Sequence, residues 1–139
     1  MTTDEIKEFF KNDRFADGIG AVIDSISKDE VVCSLELSDR HLNAGGKVQG
    51  GAIFTLADFT LAVAANYDIL TENKKSIAVN QSCNILFIKP AAGKRLISKS
   101  KRIQSGKRLS VFRMTVTDDE GTCIAEMTAN SYTVSLEKN

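Results

Sequence analysis

From Gly50 to Ala65 the chain reads Gly-Gly-Ala-Ile-Phe-Thr-Leu-Ala-Asp-Phe-Thr-Leu-Ala-Val-Ala-Ala. Folded as a helix, this stretch is apolar on nearly every side, which is how a helix at the centre of a domain reads. Such a helix has no face to give to water, so the remainder of the chain has to wrap it. Within it stands one acid, Asp58. A carboxylate placed there is costly to bury unless it is paired, hydrogen-bonded or turned toward a ligand cavity.

The wrapping material is legible from period-two alternation. A long strand is predicted over 77–88, ended by Pro90, the only proline, with further strands over 94–104, 109–117 and 123–134. In the third of these, Phe112, Met114 and Val116 alternate with Arg113 and Thr115. Upstream, Ile6, Phe9 and Phe10 sit at helical spacing behind a Thr-Asp-Glu start and predict a short amphipathic helix at about residues 3–12. Asp17-Gly18 is read as its end, and strands over 19–26 and 31–37 follow around a turn at Ser27-Lys28-Asp29-Glu30. A polar loop over 39–47 then leads into the central helix, predicted over 51–67. The order of helix, two strands, long helix and four strands predicts a single α+β domain over 1–139, an antiparallel sheet wrapped around a helix.

Composition excludes several classes of function. Eighteen Lys and Arg balance eighteen Asp and Glu, so no global field draws nucleic acid or an anionic membrane. No apolar run is read as long enough to span a bilayer, and the acidic start Met1-Thr2-Thr3-Asp4-Glu5 carries no signal-peptide core. Cys33, Cys83 and Cys123 are odd in number and set among strand residues, so they are expected as buried free thiols in a reducing cytoplasm. With His41 the only histidine, neither a metal site nor another cofactor is expected.

A glycine pair opening a buried helix, with a lone acid two turns in, resembles the phenylacetate-type (PaaI-like) acyl-CoA thioesterases of the hotdog fold. The resemblance runs from about 37 to 134, carried by Asn43, Gly50-Gly51, Asp58, Asn80 and Pro90. It implies a sheet wrapped around a central helix, an acyl-CoA partner, and a homodimer that commonly pairs again into a tetramer.

The resemblance also implies roles. The backbone N–H of Gly50 becomes the oxyanion donor, and a helix N-terminus supplies unpaired donors and a positive dipole end for that purpose. Gly51 sits beside it. Asn43 orients the thioester or the attacking water; its ordinary alternative is an Asx-turn with Gly45. Asp58 acts as nucleophile or general base, two roles that residue type alone leaves open. Its structural alternative is a buried carboxylate held by Thr55 or Thr60. Asn80, on a strand face read as shared with Ser82 and Asn84, stands where related enzymes place a hydroxyl that holds water. Gln49 departs from the family's histidine before the glycines; it still donates and accepts hydrogen bonds but does not titrate near neutrality. His41 is read as a loop side chain rather than a substitute. Lys107 and Arg108, near Lys89, Lys101 and Arg102, are cations available to the phosphates of coenzyme A; their ordinary alternative is a set of solvated charges in turns. A dehydratase or hydratase of the same fold needs a catalytic histidine, and a non-catalytic acyl-thioester binding protein is the remaining alternative.

Overall fold

The computed structural model describes residues 1–137. Six antiparallel strands form one sheet in the order β1-β2-β4-β5-β6-β3, and a 22-residue helix, α3 (Gly50–Thr71), lies against its inner face. The strands are β1 (Val22–Ile26), β2 (Val31–Glu36), β3 (Ser76–Phe87), β4 (Arg95–Gln104), β5 (Leu109–Asp118) and β6 (Cys123–Ser135). This is the sheet-around-helix arrangement that the resemblance implies. Alternation is visible in what each strand buries: Leu96 and Ser98 from β4, Phe112, Met114 and Val116 from β5, and Ala125, Met127 and Ala129 from β6. They meet Leu56, Ala57, Leu61 and Val63 of α3, all within 1% of complete burial. Each large side chain so removed from water contributes about 1.5–3 kcal/mol.

The N-terminal segment differs from the expectation. After α1 (Thr3–Phe10), closed by a Thr2–Glu5 capping box, a second helix α2 spans Arg14–Ile19. Asp17-Gly18 therefore lies inside a helix, and the first strand begins at Val22 rather than at 19. The Asp13 carboxylate accepts from the Ala16 N–H to start α2, and Gly20, at φ +92°, ends it in the left-handed region that favours glycine.

Two further expectations are corrected on α3. By length and composition it is apolar enough to cross a membrane, with a mean hydropathy of 1.3 over its most apolar window, yet 56% of that window is buried inside this domain. It is also not covered on every side. Gly51, Phe54, Thr55, Asp58, Ala62 and Ala65 fall within one stripe of the helix and remain open or half-buried, while the opposite side is packed on the sheet. Of the cysteines only Cys33 is buried; Cys83 is exposed and Cys123 half-buried. Cys83 lies on β3, an edge of the sheet, where no neighbouring strand covers it.

Two side chains fix the sheet's irregular parts. Asn66 of α3 donates to the Ala78 carbonyl at 2.9 Å and accepts from the Ala78 N–H at 2.9 Å, pinning the free edge of β3 to the helix. Its second donor contact, to the Ala62 carbonyl, leaves nothing on the amide unsatisfied. Asp118, 1% exposed, accepts backbone N–H bonds from Ala92, Glu120 and Thr122, tying the β5–β6 turn to the loop before β4.

Replacing Asn66 by Ala strands the Ala78 N–H and carbonyl, each at roughly 1–3 kcal/mol, so urea titration is expected to show about 2–4 kcal/mol of lost stability. Burial alone would push the Asp118 carboxyl up, but the N–H donors of Ala92, Thr122, Glu120 and Gly93 outweigh it and hold the group below the usual carboxylate range. A lowered folded pKa gives a contribution that is complete above the unfolded value, about 3.9, and is lost as pH falls through the folded one. Denaturation of wild type and Asp118→Asn against pH should therefore give a stability gap that is constant above about pH 5 and closes below about pH 4.

Candidate active site

The loop that delivers α3 is held at several points. A short 3-10 turn (Asp39–His41) is followed by a bridge between Leu42 and Val48, and the Gln49 N–H donates to the His41 carbonyl at 2.8 Å. Inside this loop the Asn43 carboxamide oxygen accepts from the N–H groups of Gly45, at 2.9 Å, and Lys47, at 3.1 Å. The Asx-turn thus forms as its ordinary reading has it, and the Asn43 side-chain NH2 is left to donate elsewhere.

His41 is no open loop side chain. It is 3% exposed, with Nδ1 accepting from the Ser38 N–H at 3.0 Å and Nε2 at 2.7 Å from the Ile19 carbonyl. The lone histidine is thereby a structural tie between the loop and the end of α2.

At the start of α3 the first N–H groups have no intrahelical acceptor. The Gln49 side-chain oxygen caps the helix by accepting from the Gly51 N–H. Among the described residues nothing accepts from the Gly50 N–H, the neighbouring donor. Glycine at 50 allows a close approach: a Cβ there would lie 3.3 Å from the Phe87 ring, which would have to shift by a few tenths of an ångström. Phe87 of β3 thus forms one wall of a cleft beside Gly50, of about 250 Å³, which also includes Val48, Ile53 and the segment Ile88–Pro90.

Two turns along the helix, the half-buried Asp58 accepts at 2.9 Å from the Asn80 side-chain NH2. Thr55 and Thr60 do not hold it; their hydroxyls donate to the Gly51 and Leu56 carbonyls of the helix itself. That Asn80 reaches Asp58 at all depends on a β-bulge. Asn80 pairs with Ser131 and Ser82 with Asn130, neighbours on β6 that point to opposite faces, so Gln81 is an extra residue. Asn80 consequently turns inward, while Ser82 and Asn84 turn outward, where Ser82 accepts from Asn130 at 3.0 Å. The shared face expected for the three is corrected by this one-residue shift. The Asn80 side-chain oxygen, buried, has no partner among the described residues.

Within one chain, Asp58 and Asn80 form one group and Gly50, Gly51, Gln49 and Asn43 another. Eight residues of helix, about 12 Å, separate Gly50 from Asp58. Lys107 and Arg108 stand farther away, exposed beside Ser76 at the opposite end of β3 from Phe87, a strand length of about 35 Å. Arg102 is unavailable to a phosphate: it pairs with Asp68 at 3.7 Å and its guanidinium lies 5.0 Å over the Phe112 ring. Two residues that position the site were not singled out from sequence. Asn66 aligns β3, and its signal was a carboxamide inside the apolar helix. Phe87 walls the Gly50 cleft, and nothing local distinguishes it from any other strand aromatic.

The family model described as the Thioesterase superfamily matches residues 45–125, more than half of the chain. The chain is similar to the acyl-coenzyme A thioesterase PaaI of Escherichia coli K12, 29% identical over 128 residues that cover 90% of this chain and 86% of that protein. The solved structure of the E. coli PaaI protein from the phenylacetic acid degradation operon superposes with a TM-score of 0.83 at 25% identity, covering 92% of this chain and 89% of that one. A thioesterase from Haemophilus influenzae shares the fold over 100% of this chain and 94% of its own, with a TM-score of 0.87 at 14% identity. On fold, matched family and relatives together, the chain belongs to the Thioesterase superfamily, as a PaaI-like hotdog thioesterase.

Proposed function

We propose that the protein hydrolyses an acyl-CoA thioester to free acid and CoA, with the Gly50 N–H as oxyanion donor and Asp58 as the acid that drives attack. The observation that carries this is the pairing of a donor free at a helix start with a half-buried carboxylate whose orientation is set by Asn80. Water adds to the carbonyl carbon, negative charge collects on the carbonyl oxygen against the Gly50 N–H, and the thiolate of CoA departs. Asp58 either takes the proton from that water or attacks first to form an acyl-enzyme anhydride that water then opens. Asn43, through its free NH2, orients the thioester or the water. Gln49 acts by holding the helix start, since it caps Gly51. A dehydratase or hydratase reading is disfavoured because both His41 ring nitrogens are taken up by the backbone. The cytoplasmic setting expected from three free cysteines belongs to the same reading.

In this reading each site spans two chains. A thioester carbonyl must lie about 3 Å from its donor and nearly as close to the attacking group, which the helical separation of Gly50 and Asp58 does not allow within one copy. β3 supports a dimer: it is an edge strand of twelve residues with Ile77, Val79, Leu86 and Phe87 exposed. Long apolar edges of this kind are strand-pairing surfaces. Antiparallel pairing of β3 with its copy brings the Ser76 end, with Lys107 and Arg108, toward the partner's Phe87 end and its Gly50. Those two cations then stand where the phosphates of CoA bound at the partner's donor would pass. The pairing of two dimers into a tetramer follows from the resemblance alone.

Asp58→Asn is nearly isosteric and is expected to lower kcat for thiol release by about 100- to 10,000-fold while leaving the melting temperature unchanged. Activity within about tenfold of wild type would remove Asp58 from the mechanism.

Complementation tests the shared site. Gly50→Pro deletes the donor N–H at a first helical position, where proline is otherwise tolerated. Mixed dimers of this variant with Asp58→Asn hold one site with both wild-type groups, so roughly half the wild-type activity should return, against almost none for either variant alone. Folded mixed dimers, confirmed by native mass and still inactive, would refute a site built from two chains.

A further inference from the structure

α2 sets Phe15, 73% exposed, beside a cleft of about 360 Å³ that reaches to the start of α3. Its floor is Gly51, Ala52 and Thr55, with Phe54 alongside, and Ile19 and Leu42 complete the apolar wall. The volume falls in the range of small-molecule pockets, about 300–1,000 Å³. Each polar side chain lining it gives at least one group to the protein's own backbone. Arg40 donates to the Gly18 carbonyl at 2.8 Å, and both His41 ring nitrogens are engaged. Thr55 donates to the Gly51 carbonyl at 2.7 Å, and the Gln49 oxygen is taken by the Gly51 N–H. What remains for an occupant is mainly hydrocarbon and aromatic surface, together with the other N–H groups of the exposed Arg40 guanidinium and the Gln49 NH2. The same bonds from Arg40 and His41 fix the end of α2, so Phe15 sits on an anchored element rather than on a loose loop.

The cleft begins one residue past the Gly50 donor, on the other side of the helix start from the cleft walled by Phe87 and Lys89. A thioester carbonyl at Gly50 therefore has two exits for its substituents: a smaller one with Lys89 at its rim, and a larger one walled by Phe15, Ile19, Leu42 and Phe54 with Arg40 at its rim. We propose that the cleft under Phe15 receives the acyl chain and that Phe15, its solvent-side wall, sets the longest chain accommodated. This rests on the reading of Gly50 as the oxyanion donor, and it assigns the substrate class as acyl groups with an extended aliphatic or aryl-alkyl tail.

S-alkyl-CoA thioethers of increasing chain length, which bind without turnover, provide the test by calorimetry with wild type, Phe15→Ala and Phe15→Trp. Phe15 is exposed, so both variants should melt with wild type. In wild type the affinity is expected to rise roughly fourfold per methylene that enters the cleft, then level off. Phe15→Ala should move the plateau to longer chains and Phe15→Trp to shorter ones. A wild-type affinity that does not rise above that for CoA itself, or an identical plateau in all three proteins, overturns the proposal. Thiol release from the matching acyl-CoA series is measured separately. Absence of release alongside a Phe15-dependent plateau would count against hydrolysis and not against the pocket.

Discussion

The grip of Asn66 on both backbone groups of Ala78 is the contact from which the site's geometry follows. β3 is paired on one side only, by β6, and an edge strand held by one ladder is free to twist or slide. Asn66 supplies the missing bonds from the helix, two residues before Asn80. The helix that carries Asp58 and the strand that carries Asn80 are thereby held in one frame, within which the bulge at Gln81 turns Asn80 to its 2.9 Å contact with Asp58. The amide is well suited to this task because its donor and acceptor match a peptide's, and its buried position makes both bonds costly to lose.

The central helix is packed on one side and open on the other. The face toward the sheet carries Leu56, Ala57, Leu61 and Val63, buried to completion. The open stripe carries Asp58 among Gly51, Thr55, Ala62 and Ala65, whose small side chains leave room for a second body to approach closely. A carboxylate on the packed face would face the full cost of burial; on the open stripe Asp58 is half-solvated, with one oxygen bonded to Asn80. The apolar composition of the helix is therefore a poor guide to how thoroughly it is wrapped by its own chain.

Much of this was legible from the residues. The six strands follow from alternation and the central helix from its composition, each within a few residues of the observed bounds, and the glycine pair and Asp58 stand out as positions without a packing explanation. What escaped has physical causes. α2 is only six residues long, too short to show a period, and Gly18 within it reads as a terminator. The exposure of Cys83 depends on which strand ends the sheet, a tertiary property with no local trace. The spatial split between the Gly50 and Asp58 groups was accessible by arithmetic on the helix, whereas the distance of Lys107 and Arg108 from Gly50 needed the strand order. The Phe15 cleft depends on α2, so it was invisible for the same reason that helix was.

The bulge at Gln81 makes residue count, rather than residue kind, decide which way Asn80 faces. Were Gln81 deleted, Asn80 and Ser82 would become neighbours opposite Ser131 and Asn130, and every pair along β3 and β6 would keep its present face. Were Gln81 instead drawn into the ladder as a paired residue, Asn80 would turn to the outer face while Phe87 stayed inside, and the carboxylate would lose its partner with no polar residue altered. Strand edges usually tolerate length changes well; here one residue can be removed without exchanging the sheet's two faces, whereas pairing that same residue exchanges them. A relative without the extra residue would present the same faces and match this strand with a one-residue gap at Gln81.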